Sequence, residues 1–239
     1  VRAAANRENQ TVHFARIVEL LYQKGSELPD GDPNKKMKGR AVFLGNNVKD
    51  QSFDWAEFDD LGSAPPSMEA ARAADALSLF PGYTQKQSDA VSAYTQAFLK
   101  GPPTWVALPE DRWPPGWKGK YHNPVVPLYG HPDSGGYWEE VCDTSVKECG
   151  FEDFKDQGWR SVYWHPGKRA LLVIYVDDFI LSARHEDQDG LWEQLRKRIT
   201  LEPPTEPDRF LGCYKRPFEA TAKEVECVLE HKPELYGRP

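Results

Sequence analysis

The stretch LLVIYVDDFILSA, Leu171 to Ala183, sets two adjacent acids between two apolar runs. Leu171 to Val176 is almost continuously apolar and Phe179 to Leu181 resumes the pattern, which predicts a buried hairpin. A tight turn of ordinary composition more often carries Asn-Gly or Asp-Gly at that seam. Asp177 and Asp178 place two like charges there instead, at a cost unless a cation neutralises them. Carboxylates suit hard divalent ions such as Mg²⁺, which takes one or two protein carboxylates together with phosphate oxygens. Two such ions side by side activate an attacking oxygen and stabilise a leaving one in phosphoryl transfer. An acid pair alone also fits a solvated turn, so the surrounding sequence has to decide.

Working outward, RSVYWHPGKRALLVIYV reads as strand, Pro-Gly turn, strand. Before it, SGGYWEEVCDTSVKECGF reads as a helix. Trp138, Val141, Cys142, Val146 and Cys149 share one face, and Gly150 closes the C-terminal end. PPSMEAARAADALSLFPG is the clearest helix: Ser67 caps it, its alanine-rich interior has high propensity, and Pro81-Gly82 stops it. SDAVSAYTQAFL is expected to be a short strand around Gln87 to Ala90 that turns into a helix, and RWPPGWKGKYHNPVV a loop. After the acid pair, a third helix is expected over Gly190 to Ile199, with Leu191, Trp192, Leu195 and Ile199 as its stripe. RFLGCY then reads as a short strand. Near the N-terminus, TVHFARIVELLYQKG is an amphipathic segment ending at Gly25. KMKGRAVFLGN is a strand led in by Lys35, Lys36, Lys38 and Arg40, and the acidic DWAEFDD follows. Paired strands with helices between them predict a mixed α+β fold rather than regular βαβ winding.

The totals are consistent with that reading. A chain of 239 residues, 39% hydrophobic and 28% charged, is long enough to bury a sizeable core. Twenty prolines and eight tryptophans predict irregular connections anchored by large aromatics. A net charge of −7 argues against a surface that grips nucleic acid everywhere, so any such contact must be local. Cys142, Cys149, Cys213 and Cys227 lack C-x-x-C spacing and read as small hydrophobes in a reducing compartment. No signal-peptide pattern is present and no apolar run is long enough to span a bilayer. The expectation is an intracellular chain, in cytoplasm or nucleus, without a membrane partner.

Tyr-Val-Asp-Asp between two apolar strands resembles the catalytic motif of reverse transcriptases, and the wider LLVIYVDDFILSA is similar to its copia-type (Pseudoviridae-like) retrotransposon version. Other motifs of that family follow in order over about Lys38 to Gly212. KGRAVFLGN resembles the basic fingers strand, and SDAVSAY resembles the segment supplying the third carboxylate, with Asp89, Ala93 and Tyr94 at the family spacing. TWVALPEDRWP is similar to an aromatic, Pro-containing segment, LYGHPDSGGYWEE to a Leu-Tyr-Gly block before a Trp-bearing helix, and FLG to the primer-gripping strand.

The resemblance implies a right-hand polymerase palm, an antiparallel sheet with packed helices, plus partial fingers and a missing or truncated thumb. The implied divisions are a poorly defined segment over 1–35 and a fingers-like part with a palm helix over 36–88. The palm with the active site would cover 89–213, and a C-terminal extension 214–239. Asp89, Asp177 and Asp178 would be catalytic and, with the Ala90 carbonyl, would hold two Mg²⁺ ions, or Mn²⁺, with Asp178 the more peripheral. Lys38 and Arg40 would hold a triphosphate, Tyr94 would be the aromatic plate under the incoming sugar, and Gly130 would let backbone approach nucleotide or template. Phe210, Leu211 and Gly212 would grip the primer. RNA template, DNA or RNA primer and deoxynucleoside triphosphates are the implied partners. His131 stands where the family has an apolar residue and is given no catalytic work.

Three departures matter. The family reads LYGLKQxPRxW where this chain has LYGHPDSGGYW, so Lys, Gln and Arg are absent after the glycine. The lead-in NPVVPLYG is also shorter than the family pattern, and no thumb, connection or RNase H region follows FLG. The alternative is therefore an inactive or domesticated remnant that binds nucleic acid or protein without polymerising. An unrelated metal-dependent nuclease or phosphatase would explain the acids but not the ordered motifs.

Overall fold

The computed structural model describes residues 1–58, 65–117 and 127–231, without the side chains of 227–231. In chain order the elements are α1 (Arg2–Glu8), β1 (His13–Lys24), β2 (Lys36–Phe43), α2 (Met68–Ser78), β3 (Tyr83–Asp89), β4 (Thr104–Ala107) and α3 (Ser134–Lys147). There follow β5 (Glu152–Phe154), β6 (Trp159–His165), β7 (Ala170–Tyr175), β8 (Asp178–Arg184), α4 (His185–Arg196), β9 (Arg209–Phe210), β10 (Cys213–Tyr214) and α5 (Ala222–His231). The first four residues of the shortened lead-in, the end of the RWPPGWKGKYHNPVV loop, and Asp59 and Asp60 of DWAEFDD lie outside the described residues.

The core is a five-stranded sheet of order β3-β8-β7-β6-β5, antiparallel throughout. Its centre explains the continuous apolar run. Leu172, Ile174, Phe179, Leu181 and Ala183 face α3 and α4, packing with Trp138, Cys142, Val146, Leu191, Trp192 and Leu195. Leu171, Val173 and Ile180 face the other way, against Ala70, Ala71 and Ala74 of α2 and against Phe210. Both faces are covered, so neither can be polar. The alanines let α2 come close enough for Ser182 Oγ to donate to the Ala74 carbonyl at 2.7 Å.

Magnitudes show why the acids do not unmake the hairpin. Phe179, Ile180 and Leu181 are fully buried, and each such side chain contributes roughly 1.5–3 kcal/mol. Two like charges about 4 Å apart near a surface cost about 1–4 kcal/mol. Burial sets the register, and the repulsion is tolerated.

The second sheet has order β2-β1-β4, with β1 and β2 antiparallel and β1 and β4 parallel. Ala15, Phe43, Val48 and Val106 are buried at its base. Beyond them Leu20 to Lys24 and Lys36 to Ala41 form an exposed two-stranded ribbon. One local reading is made specific and three change. TVHFARIVELLYQKG holds a twelve-residue strand, because β2 and β4 supply its backbone partners. The helix expected after Ala90 is only a 3-10 turn over Ala93–Gln96. It is preceded by Ser92 at φ 51, and the Gln96 side chain bonds the Val91 and Thr200 carbonyls. Helix α4 starts at His185, with Glu186 and Asp187 in the first turn where the helix dipole favours acids, and Gly190 lies inside it. RFLGCY is a hairpin rather than a strand, turning at Leu211 (φ 47) and Gly212 (φ 79). Among the described residues no helix is long and apolar enough to cross a membrane.

Candidate functional site

Register places the acids. Asp89, the last residue of β3, lies opposite Asp178, the first residue of β8, and Tyr175 at the end of β7 opposes Asp178 from the other side. Val176 and Asp177 are thus the two turn residues. Val176 has φ +56, whereas Asp177 has no positive φ, the pattern of a type II′ turn whose first position favours glycine. A β-branched residue there stores strain of about 1–3 kcal/mol. Two hydrogen bonds hold it: Ala90 N–H donates to the Asp177 carbonyl at 2.6 Å, and Trp138 Nε1–H donates to the Val176 carbonyl at 2.6 Å.

The electrostatics register the crowding. Burial first, then Asp177 and Asp89, push the Asp178 carboxyl up to about 6, with Arg209 opposing. Asp89 is exposed at its strand end. Even so, the surrounding protein, then Asp177 and Glu202, raise it above the usual carboxylate range, and Lys24 and Lys38 pull it back. Asp178 is half-buried between two strands.

The ribbon turns its cations toward this corner. Cross-strand pairing puts Tyr22 beside Lys38, Leu20 beside Arg40 and Lys24 beside Lys36. Strand alternation therefore places Lys24, Lys36, Lys38 and Arg40 on one face. The Arg40 guanidinium lies 5.5 Å from the Tyr22 ring centre and 5.3 Å from that of Tyr129. Tyr129 in turn sits 4.8 Å from Tyr94, centroid to centroid. Both phenols are raised, first by burial; Asp177 contributes to each. A ladder of Arg40, Tyr129 and Tyr94 thus runs from the ribbon to the acids.

The other sequence candidates are placed less directly. Ala90 is buried beside the turn, and its N–H is the group shown to be engaged. Gly130 has φ +89, and a Cβ there would stand 2.2 Å from the Phe43 carbonyl oxygen. Its close approach is to β2 itself, a constraint that needs no nucleotide. Phe210 is buried against the sheet, while Leu211 and Gly212 form the hairpin turn. Arg209, Tyr129, Lys24 and the Trp138 N–H escaped sequence reasoning. Each acts through a cross-strand or helix-to-turn neighbour that the chain order does not reveal. His131 is buried among Phe43, Phe58 and Tyr137 and pushed down to about 4 by burial and His13, in keeping with a packing role. Cys142 and Cys149 are free and buried, and Cys213 is free and exposed; burial drives the Cys142 thiol far up, away from nucleophilic use.

Among the described residues no three His, Cys, Asp or Glu side chains converge into a set that could hold a metal ion alone. Hard carboxylates at one edge could still hold a cation that completes its shell with water and phosphate oxygens. This makes pH informative. The Asp178 carboxyl is raised to about 6 from about 3.9 in an unfolded chain. Its protonated form stabilises the metal-free fold at low pH, and that contribution is lost as pH rises through 6. If these acids hold divalent cations, Mg²⁺ is expected to raise the melting temperature more at pH 7.5 than at pH 5, where the Asp178 carboxyl carries its proton, as a thermal melt with and without Mg²⁺ would read. No protein-family model matches the chain, and no curated protein does.

Proposed function

We propose that the chain is the fingers-and-palm part of an RNA-directed DNA polymerase of the copia-type retroelement kind. The five-stranded sheet would be the palm and the β1–β2 ribbon the fingers. The reading rests above all on one juxtaposition. Asp89 and Asp178 oppose each other with Asp177 on the adjoining turn, and Lys24 and Lys38 act on Asp89 from the ribbon. Motifs far apart in the chain, KGRAV, SDAVSAY, LYG and YVDD, supply the three acids, Lys38 and the Arg40–Tyr129–Tyr94 ladder, and β1 adds Lys24. The reverse-transcriptase resemblance requires the same grouping.

Asp89 and Asp177, with the Ala90 carbonyl, would hold two Mg²⁺ ions, and Asp178 would add charge behind them. When bound, the ions lower the cost of the primer 3′-hydroxyl attacking the α-phosphate of a deoxynucleoside triphosphate and of pyrophosphate leaving. The chain's own work is placement. Lys38 and Arg40 neutralise the triphosphate, Arg40 being steadied between Tyr22 and Tyr129. Tyr94 lies under the sugar, where its bulk would exclude a 2′-hydroxyl. The hairpin bearing Phe210, Leu211 and Gly212 would meet the primer, with Arg209 at its base near Asp178.

Primer extension on an RNA template with deoxynucleoside triphosphates and Mg²⁺ tests this. Extension is the expected result. A folded chain that extends no primer with Mg²⁺ or Mn²⁺ overturns the enzymatic reading and leaves the non-polymerising remnant.

A further inference from the structure

We infer that Trp138 is a positioning residue whose indole N–H holds the β7–β8 turn, and so Asp177, in place; the catalytic half of this inference rests on the polymerase reading above. The turn is strained at Val176, and such a conformation persists only where its surroundings over-determine it. Its two carbonyls are held from different elements. The residue after β3 takes that of Asp177 and helix α3 takes that of Val176.

Packing does not do the same work. A cavity of about 230 Å³ opens beside the turn, lined by Gly135, Trp138, Cys142, Ile174, Tyr175 and Val176. Among the described residues, Val176 faces that cavity, and Trp138, which also lines it, is tied to the Val176 carbonyl by the 2.6 Å hydrogen bond. The indole is itself immobile: Trp138 is 2% exposed and packed in the core between α3 and the sheet. A buried indole N–H needs an acceptor, and the Val176 carbonyl supplies one while gaining a rigid tether. Without that bond the left-handed Val176 relaxes toward ordinary backbone, and the Asp177 carboxylate moves with it. A displacement of about 1 Å is enough to cost on the order of a hundredfold in rate.

The test replaces Trp138 by 3-benzothienylalanine, which keeps the bicyclic shape and puts sulfur where the N–H was. Trp138→Phe serves as a second variant should the first fail to fold. Incorporation of one nucleotide on a primed RNA template is expected to show kcat lower by roughly ten- to a hundredfold, with KM for the nucleotide held within about twofold. Amide exchange gives a reading that needs no activity. The Ala90 N–H, bonded to the Asp177 carbonyl, is expected to exchange about tenfold faster, while Val173 in the middle of β7 keeps its rate. Unchanged Ala90 exchange overturns the inference, whatever happens to kcat. Faster exchange with unchanged kcat in an active enzyme overturns its catalytic half. If the unmodified chain extends no primer, the polymerase reading fails separately, and the exchange rates alone decide whether Trp138 holds the turn.

Discussion

Asp177→Asn is expected to abolish nucleotide incorporation, lowering kcat by about a thousandfold or more, while the melting temperature holds or rises. The two halves of that expectation have one cause. Asparagine keeps the shape of the turn, and the backbone carbonyl that accepts the Ala90 N–H stays in place. What disappears is the charge. Asp177 raises the proton affinity of both Asp89 and Asp178, so the native site carries repulsion that the variant removes. In the metal-free protein this relieves the fold. On the polymerase reading proposed above, it also removes a hard anionic ligand for the metal ions. Single-turnover incorporation beside a thermal melt separates this from misfolding, which would lower both. A drop in stability as large as the drop in activity would point to a structural acid.

Gly130→Ala is expected to destabilise the fold severely. Its φ of +89 disfavours a side chain, and the added Cβ would meet the Phe43 carbonyl oxygen at 2.2 Å and Val42 Cγ1 at 2.9 Å. A backbone oxygen cannot swing aside. Phe43 N–H also donates to the Tyr129 carbonyl at 2.7 Å, and a Cβ at Gly45 would stand 2.2 Å from the Gly130 carbonyl oxygen. The two segments interlock at this point. A cost on the order of 3 kcal/mol is expected, or a fall of roughly 6–12 °C in melting temperature for a chain of this size. Gly82→Ala is the control. It shares a positive φ of 79 but meets nothing within 4 Å, and its cost is expected to be about 1 kcal/mol. Equal losses at the two sites would remove the steric explanation. Because the interlock seats β2 against Tyr129, Gly130→Ala is also expected to weaken the Arg40–Tyr129 contact.

The central antiparallel sheet and the helices packed on it were legible because their signals are local and strong. The apolar run around Asp177 is buried on both faces, Ser67 caps α2 and accepts from the Ala70 N–H at 3.2 Å, and the Trp138–Val146 stripe lies against the sheet. The same locality explains the misses. Nothing in TVHFARIVELLYQK distinguishes a strand from another amphipathic element until β2 and β4 arrive as partners. Gly190 looked like a helix boundary, but buried Gln188 ties that turn to the sheet by donating to the Thr84 and Leu181 carbonyls. Lys24 joins Lys38 near Asp89 only through the β1–β2 register, and Tyr129 becomes a rung between Arg40 and Tyr94 only once three segments meet. The strain at Val176 is invisible in the letters YVDD. It also answers why the turn lacks a glycine: two hydrogen bonds from outside the hairpin hold valine where glycine would sit freely.

The most direct measurement of the central claim is Mn²⁺ binding by electron paramagnetic resonance at pH 7.5. It would use the chain with a dideoxy-terminated primer on an RNA template and the next deoxynucleoside triphosphate. The unmodified chain is expected to bind Mn²⁺ beyond what nucleotide and nucleic acid bind alone, and Asp89→Asn with Asp177→Asn is expected to lose that excess. A folded chain that binds no more Mn²⁺ than this double variant would contradict a divalent-metal site at the acids.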